Sequence, residues 1–547
     1  NIDEGKGNKI AIIFIDENKK KQEITFIELE NLVDLFIKYL LLNFKKRDLL
    51  KNPIAIHSSA NLCSAISMLA CTKLGITHCV IFNDLSSEAI KIRCEIIKCK
   101  ILTSASKKDV IKKINPIQKK LKLKILKFGK YSDKKLSISF EKFLTKKNVR
   151  LNYKYQSIKS NKAAFILFTS GSTGEPKGIV HSTGGYLVYA KYTCQKKFDV
   201  SHKKIILTAS DAGWINGHTY AFYGPLSLGA TTILLEKPMI LLNEGIFKEI
   251  LIDLKINILY LPVTLIRLIK SLNNKSKIKS KYLNLLGSMG EPLSKYVGAW
   301  FSRSFSSKKL QIVNTYFQTE TAGIISSPGF NDKISDVPLG TVGKQITKNL
   351  GMFVDKKTIN QKAEVKIKNP WPGCMIDVIN NKKLFEEYWD KNQNFRLFDL
   401  ASYDKKKNLI IHGRLDDVIN IRGHRIGSAE IESIILKSHY IKEVCAIGID
   451  DELAGKELIV FIVSNTKTRV TNVVENLIFN NFGSFALPKK IILLSELPKT
   501  RSGKILRRVL RDLYLNPNTK KIGDLSTILK KNVIVEIKKK LIRINKN

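Results

Sequence analysis

Short apolar runs alternate with helical patterns over most of the chain, from about residue 9 to about residue 400. Residues 54–57 predict a strand, and an amphipathic helix follows through Leu74 and ends at Gly75. Apolar runs bounded by turn residues or charges occur at 164–168, 205–208 and 258–261. Such runs are typical of buried parallel strands. Strands that alternate with helices predict an α/β body with parallel sheets.

A second unit follows this body. A helix is predicted at 428–436, and short strands follow at 444–449 and 458–464. A chain of 547 residues is too long for one ordinary domain. We therefore predict a large multi-sheet catalytic body over residues 1–415 and a small mobile α+β domain over residues 416–547.

The net charge of +45 would suit an anionic partner such as nucleic acid. However, the excess lysine is scattered from end to end, and the sequence has neither zinc-finger spacing nor an aromatic stacking motif. Scattered lysine is typical of solvated faces, so we predict no nucleic-acid partner. A basic nucleic-acid-binding protein remains the alternative from another class.

The eight cysteines form no CxxC pair and lie mainly in apolar segments, which is typical of reduced core thiols. This usage predicts a cytoplasmic protein. No stretch is long and apolar enough to span a bilayer, and no signal peptide is visible. The sequence begins with Asn1 rather than Met, which is compatible with the loss of an upstream segment.

Residues 168–178, FTSGSTGEPKG, form the most specific segment of the chain and follow an apolar run. The spacing is that of neither a P-loop nor a dinucleotide-binding loop. Glycines let consecutive N–H groups turn toward phosphate oxygens, while hydroxyls and a lysine add donors and charge. A flexible turn is the alternative. The predicted phosphate-binding residues are Thr169, Ser170, Gly171, Ser172, Thr173, Gly174 and Lys177.

Further distinctive segments accompany this loop and occur at 210–226, 229–232, 290–292, 318–321, 399, 413–417 and 423–427. In this order they resemble the adenylate-forming superfamily, and within it the AMP-forming acyl-CoA synthetases of the acetyl-CoA synthetase type. The resemblance extends from Val80 to Arg507. It implies an AMP-binding body with a mobile lid domain.

The implied reaction joins a short carboxylic acid to coenzyme A. ATP and the acid form an acyl-adenylate and pyrophosphate, with Mg²⁺ on the phosphates, and the thiol of coenzyme A then displaces AMP. An adenylating enzyme with another acceptor, such as a carrier protein, is the alternative within the superfamily. A nucleic-acid-binding protein with a vestigial ligase body is the alternative outside it.

The resemblance also implies roles for individual residues. Glu320 would hold Mg²⁺ against the phosphates, and an ionised Asp399 can accept hydrogen bonds from ribose hydroxyls. From the residues alone, other interpretations stay open. Glu320 is then an ordinary surface acid, Asp399 a turn residue, and Arg414 part of a surface ion-pair cluster. The other implied nucleotide-binding residues are Gly290, Glu291, Pro292, Asn314, Thr315, Tyr316, Phe317, Gln318, Thr319, Arg414 and Arg425.

Lys504 lies in the small domain, so it can act in catalysis only if that domain closes over the body. The resemblance implies that it counters charge in the adenylation transition state, and that a hinge at Asp416 later turns Gly423 inward for thioester formation. Acetylation of Lys504 would then suppress adenylation. A basic tail is the alternative reading of this region.

The resemblance places the acyl pocket at Trp214, Ile215, Asn216, Met289 and Phe317. Phe317 stands where acetate-specific members carry Trp, and Met289 stands where Val is common, so a short pocket that differs from the acetate pocket is expected. Plain core packing is the alternative for Trp214. Asn216 and Arg422 are expected to contact coenzyme A. Where the family often has arginines for this purpose, this chain has Lys107, Lys108 and Phe479, so the mode of coenzyme A binding stays open.

Overall fold

A computed structural model describes most of the chain, and the fold is a set of β-sheets wrapped by helices. The described residues are 1–82, 85–105, 108–128, 137–139, 155, 157–170, 176–272, 278–305, 310–333, 335–354, 362–415, 418–421, 424–451, 455–466, 470–500, 503–519, 522, 525, 528–530 and 532–546.

Within these residues the body contains two large sheets. The seven-stranded sheet has the spatial order Ile312–Asn314, Leu285–Met289, Ile258–Pro262, Ile205–Thr208, Thr231–Leu235, Ile10–Ile15 and Lys21–Thr25. The eight-stranded sheet has the order Asp377–Val378, Pro176–Ser182, Ala163–Ser170, His78–Ile81, Ile54–His57, Ile101–Ala105, Lys124–Phe128 and Ser137–Ser139. Most neighbouring strands are parallel, as predicted.

Smaller sheets complete the described part. A four-stranded antiparallel sheet is formed by Met352–Val354, Ala363–Ile367, Phe395–Tyr403 and Leu409–Arg414, and a pair by Ser326–Ser327 and Lys344–Gln345. The last sheet contains His424–Gly427, Val418–Ile421, Gly455–Ser464, Ile441–Asp451 and Lys490–Leu493.

Helices cover these sheets. The α-helices with described bounds are Phe26–Asn43, Lys46–Lys51, Leu62–Leu74, Ser87–Ile96, Lys108–Leu121, Thr183–Phe198, Ile215–Gly217, Gly224–Ser227, Glu244–Asp253, Val263–Leu272, Lys295–Ser304, Lys382–Glu387, Ser428–Ile435, Val470–Phe482, Arg507–Leu515 and Asn532–Lys546. Shorter helical turns are Ile2–Lys6, His218–Tyr223, Pro238–Leu242, Thr319–Thr321, Lys348–Leu350 and Ser484–Ala486. None of the helices in the described ranges is long and apolar enough to cross a membrane.

Local signals in the sequence set several of these bounds. The helix Leu62–Leu74 begins after Asn61, whose side chain accepts the backbone N–H of Ser64, and it ends at Gly75 with φ 69°. The strand Ile54–His57 occurs where the sequence predicted it. The largest core cluster joins side chains of all three larger sheets of the body, for example Ile12, Ile56 and Val365.

The C-terminal sheet is buried on both faces. Alternate side chains of Gly455–Ser464 enter two separate core clusters, since successive strand residues point to opposite faces. One cluster is closed by Ser428–Ile435 and Val470–Phe482, and the other by Arg507–Leu515 and Asn532–Lys546. The predicted helix and strands of this unit are therefore present. The domain boundary near Asp416 stays a prediction, because residues 416 and 417 lie outside the described residues.

Candidate active site

Three parallel strands of the seven-stranded sheet end side by side at the candidate site: Ile258–Pro262, Leu285–Met289 and Ile312–Asn314. In register, Pro262 pairs with Met289, and Ser288 pairs with Asn314. Open α/β sheets place ligands at such carboxyl ends. The segments predicted to line the nucleotide pocket, 290–292 and 314–319, begin at the ends of two of these strands, so the sheet brings them together.

Hydrogen bonds fix the start of these segments. Thr315 Oγ1 donates to the carbonyl oxygen of Ser288 (2.8 Å) and lies 2.7 Å from Tyr260 Oη. Asn314 Nδ2 donates to the carbonyl oxygen of Thr341 (2.9 Å), and its Oδ1 accepts from Ser288 Oγ (2.9 Å). Both segments therefore leave the sheet along fixed paths.

The turn at Gly290–Pro292 depends on its glycine. Gly290 has φ 88°, a conformation that L side chains rarely adopt. Glu291 accepts a hydrogen bond from Arg267 Nη1 at 2.9 Å. The carboxylate of Glu291 is thus paired within the body, and Pro292 continues the turn.

Asp399 is the most completely held carboxylate of the site. It is 6% exposed, and its Oδ2 accepts from Tyr316 Oη (2.7 Å) and Gln318 Nε2 (2.6 Å). Arg414 Nη1 lies 3.5 Å from the other oxygen, Oδ1. Burial raises the pKa of Asp399, while Arg414 and the two donors oppose that rise. Oδ1 is thereby the oxygen left to a further donor such as a ribose hydroxyl.

Phe398, beside Asp399, adopts φ 53°. A bulky residue rarely occupies this left-handed region, and the conformation carries backbone strain. The preceding carbonyl oxygen, of Leu397, accepts from Gln318 Nε2 (2.6 Å) and Arg414 Nη1 (3.2 Å). The same two side chains that hold Asp399 therefore also hold the strained backbone next to it.

Glu320 lies in the short helical turn Thr319–Thr321 and is 9% exposed. Its Oε1 accepts from Tyr388 Oη at 2.7 Å, and its backbone carbonyl accepts from the N–H of Met375 at 2.9 Å. His181 Nε2 donates to the carbonyl oxygen of Thr319 at 2.7 Å. Since His181 belongs to the strand Pro176–Ser182, it ties this turn to the strand that follows the phosphate loop.

A single buried carboxylate suits Mg²⁺. This ion is usually held by one or two carboxylates together with substrate phosphates and water. Glu320 offers one oxygen paired with Tyr388 and a second oxygen for a cation. Across the described ranges, no group of three or more His, Cys, Asp or Glu side chains could hold a metal by itself. Phosphate oxygens would supply the other ligands.

The phosphate loop connects two antiparallel strands rather than a strand and a helix. Thr169 pairs with Lys177 in the ladder between Ala163–Ser170 and Pro176–Ser182. The helix Thr183–Phe198 follows only after the second strand. The predicted loop residues Gly171, Ser172, Thr173 and Gly174, and the side chain of Ser170, lie outside what the structure describes.

The predicted acyl-pocket residues lie in two neighbouring groups. Met289 is 1% exposed and shares an apolar cluster with Tyr220, whose ring meets Phe317 edge-on at 5.5 Å. Ile215 is buried and Asn216 half-buried, both in the turn Ile215–Gly217. The ring of Trp214 packs 4.7 Å from that of Phe82, so it has a packing contact of its own.

The loop that carries Lys504 contacts the body. Gly503 has φ 87°, and a Cβ added there would lie 2.8 Å from the side chain of Thr264. Thr264 is in the helix that begins directly after the strand ending at Pro262. Lys504 is exposed beside this contact. This contact therefore brings the loop of Lys504 to the same sheet edge as Met289.

Several other predicted residues cannot be placed. Asp416, Arg422 and Gly423 lie outside the described residues, and so does the side chain of Arg425. Conversely, sequence reasoning missed Tyr388, His181 and Phe398, which contact the site across long sequence distances. A motif that marks them is lacking in the sequence, because their roles arise from tertiary contacts.

This arrangement is that of a nucleotide-binding enzyme with a large α/β body and a small α+β C-terminal domain. Residues 2–372 match the family model "AMP-binding enzyme", and residues 430–504 match "AMP-binding enzyme C-terminal domain". The chain belongs to the AMP-binding enzyme family.

Curated relatives agree over nearly the full chain. The acetyl-coenzyme A synthetase 1 of Kluyveromyces lactis is 31% identical over 563 residues, which cover 96% of this chain and 79% of that protein. The acetyl-coenzyme A synthetase of Vibrio cholerae is 31% identical over 565 residues, covering 97% and 85%. The predicted class, an AMP-forming ligase that joins a short-chain acid to coenzyme A and uses ATP and Mg²⁺, is confirmed.

Solved structures share the fold. The acetoacetyl-CoA synthetase from Streptomyces lividans superposes with a TM-score of 0.82 at 16% identity, covering 99% of this chain and 85% of that one. The anthranilate CoA ligase AuaEII in complex with anthranoyl-AMP gives 0.80 at 18% identity, covering 93% and 94%. The predicted fold class, a multi-sheet α/β body with a small C-terminal domain, is confirmed.

We predict that Tyr316→Phe weakens ATP binding. In its predicted role Asp399 accepts from ribose hydroxyls most strongly as the ionised carboxylate, and the hydrogen bond from Tyr316 lowers its pKa, which burial raises. Loss of a hydrogen bond to a charged group costs about 1.5 kcal/mol or more, roughly tenfold in the KM for ATP. The pKa of Asp399 should rise further in this variant. As the pH is lowered, the variant should therefore lose ATP affinity at a higher pH than the wild-type protein does.

The measurement is the KM for ATP as a function of pH in both proteins. Tyr403→Phe is the matched control, since this phenol lies on the same strand as Asp399 but donates to the carbonyl oxygen of Met352 at 3.5 Å. Equal pH profiles for Tyr316→Phe and the control would contradict the role given to Tyr316.

Proposed function

We propose that the chain activates a carboxylic acid of about two to five carbons, and that the predicted site residues serve the two half-reactions. The observation that carries this proposal is the buried Asp399, held at Oδ2 by Tyr316 and Gln318, beside the turn that bears Glu320. Two acceptor carboxylates at the end of a sheet suit a nucleotide with its metal.

In the proposed adenylation step, the substrate carboxylate attacks the α-phosphorus of ATP, and pyrophosphate leaves. Asp399 and Arg414 would hold the ribose, and Thr169, Lys177 and the loop between them would hold the phosphates. Lys504 would counter the negative charge that develops between the two reactants. The contact of Gly503 with Thr264 supports this role, because it brings the lysine's loop to the carboxyl edge of the sheet.

In the proposed second step, the thiolate sulfur of coenzyme A attacks the acyl carbonyl, and AMP leaves. This step would use Asn216, Arg422 and Gly423 after the small domain turns about Asp416. The half-buried position of Asn216 just before His218 supports access from outside the core. Body and small domain would divide at 415/416.

The acid would occupy the space beside Met289 and Phe317. Their shared neighbour Tyr220 supports a short, aromatic-walled pocket. A phenyl ring leaves more room than an indole, while a thioether fills more than valine does. Propionate or a small branched or polar acid would suit this balance.

We also propose that the protein is cytoplasmic and that it binds a small carboxylate, ATP and coenzyme A but no nucleic acid. Acetylation of Lys504 would control its activity. All eight cysteines are free thiols, seven of them buried, which supports a reducing compartment. Lys504 is exposed and therefore open to a modifying enzyme. Acetylation would remove the charge that the adenylation step needs.

We predict that the purified protein sustains release of AMP and pyrophosphate over many turnovers only when ATP, Mg²⁺, a short acid and coenzyme A are all supplied. The measurement is both products across a panel of acids of about one to eight carbons. Pyrophosphate without sustained turnover in the presence of coenzyme A would point to another acceptor. Salt-sensitive RNA or DNA binding without adenylation would overturn the ligase proposal.

We predict that Lys504→Ala slows adenylation by about 100-fold or more. The conversion of a supplied acyl-adenylate to the thioester should persist, since that step is assigned to another face of the domain. Lys530→Ala is the matched control, because this exposed lysine of the same domain pairs with Glu496. Full adenylation with loss of only the thioester step would reverse the assignment.

We predict that Met289→Val shifts the acid preference toward longer chains. Removing the thioether lengthens the pocket, and one methylene changes kcat/KM by about 10- to 200-fold in such pockets. The measurement is the ratio of kcat/KM for acids that differ by one carbon. Met239→Val is the control, since Met239 is half-exposed and outside the site. An unchanged ratio would remove Met289 from the pocket.

A further inference from the structure

A buried tyrosine hydroxyl contacts the carboxylate assigned to the metal. Tyr388 Oη donates to Glu320 Oε1 at 2.7 Å, although the two residues are 68 positions apart. Both side chains are buried, with 5% of Tyr388 and 9% of Glu320 exposed. A hydrogen bond to an ionised carboxylate is among the stronger ones in proteins, and here it is shielded from water.

The packing around Tyr388 fixes the position of its hydroxyl group. Its ring stacks on Phe395 with centroids 5.7 Å apart and meets Phe398 edge-on at 5.4 Å. Its backbone carbonyl accepts from the N–H of Arg396 at 2.8 Å. Tyr388 also caps the helix Lys382–Glu387. Ring and backbone are therefore both fixed by the strand that carries Asp399.

Glu320 is in turn held at its backbone from two sides. The carbonyl oxygens of Thr319 and Glu320 accept from His181 Nε2 (2.7 Å) and the Met375 N–H (2.9 Å). With the backbone fixed, the remaining freedom is rotation of the carboxylate. The hydroxyl of Tyr388 removes that freedom, because it engages one oxygen and leaves the second oxygen directed elsewhere.

We propose that Tyr388 is a positioning residue for the divalent cation: by holding Oε1 of Glu320, it presents Oε2 as a ready ligand for Mg²⁺ on the phosphates of ATP. This inference rests on the proposed function, which assigns Glu320 to the metal. Outer-shell partners of metal ligands typically affect metal affinity or activity by about 10- to 100-fold.

The test is Tyr388→Phe, which removes only the hydroxyl. With ATP present and the acid absent, Mn²⁺ binding is titrated by the EPR signal of the free ion, and in parallel the Mg²⁺ concentration for half-maximal pyrophosphate release is measured. We expect Mn²⁺ to bind about 10- to 100-fold more weakly, and the Mg²⁺ requirement to rise by a similar factor while saturating Mg²⁺ restores turnover.

Controls separate positioning from a general loss of structure. Tyr403→Phe, which removes a half-buried phenol from the strand that packs against Tyr388, should leave Mn²⁺ binding unchanged. In a Glu320→Gln background, Tyr388→Phe should cost nothing further, because the residue acts through that carboxylate. Tyr388→His keeps a donor and should retain more affinity than Tyr388→Phe; it also serves if the phenylalanine variant is unstable.

Equal Mn²⁺ affinities for Tyr388→Phe and Tyr403→Phe would overturn the inference, and so would full additivity with Glu320→Gln. Failure of the proposed function looks different. In that case the wild-type protein would release no pyrophosphate with any acid, while the Mn²⁺ titration with ATP would still report on Tyr388.

Discussion

Two carboxylates with little access to water must be matched by donors, and the site is built around this requirement. An ionised carboxylate is costly to remove from water unless hydrogen bonds or opposite charges replace its hydration. Asp399 is matched by Tyr316, Gln318 and Arg414, and Glu320 by Tyr388. Each carboxylate keeps one oxygen less engaged, which leaves it available to the nucleotide or its metal.

The donors around the two carboxylates come from three different sheets of the fold. Tyr316 and Gln318 follow a strand of the seven-stranded sheet, whereas Asp399 and Arg414 pair across the four-stranded sheet. His181 adds the eight-stranded sheet through Thr319. The site therefore exists only where the three sheets meet, and the strained backbone at Phe398 lies at this junction.

Contact between the two domains adds the last element. The close approach of Gly503 to Thr264 places the loop of Lys504 over a strand end of the body. The pairing of Glu432 with Arg507 joins two helices on opposite faces of the small domain's sheet. The helix Ser428–Ile435 also contacts the body, since Glu430 pairs with Lys362. The small domain is therefore attached to the body at the loop of Lys504 and at this helix.

Much of the fold was predictable from local sequence. The helix that ends at Gly75, the strand Ile54–His57 and the elements of the C-terminal unit follow from apolar periodicity and capping, which depend on neighbouring residues. The antiparallel hairpin around the phosphate loop was not predicted, because an apolar run does not indicate the direction of its partner.

The sequence by itself determined the class of enzyme: the order of motifs marked an AMP-forming ligase, and the candidate charged groups are two carboxylates at 320 and 399 and a lysine at 504. Only the tertiary structure decided how those charges are held. Tyr388 and Glu320 are 68 residues apart, and Tyr316 and Asp399 are 83 apart. Hydrogen bonds between residues so far apart in the sequence depend on how the sheets pack, and the local sequence pattern does not specify that packing.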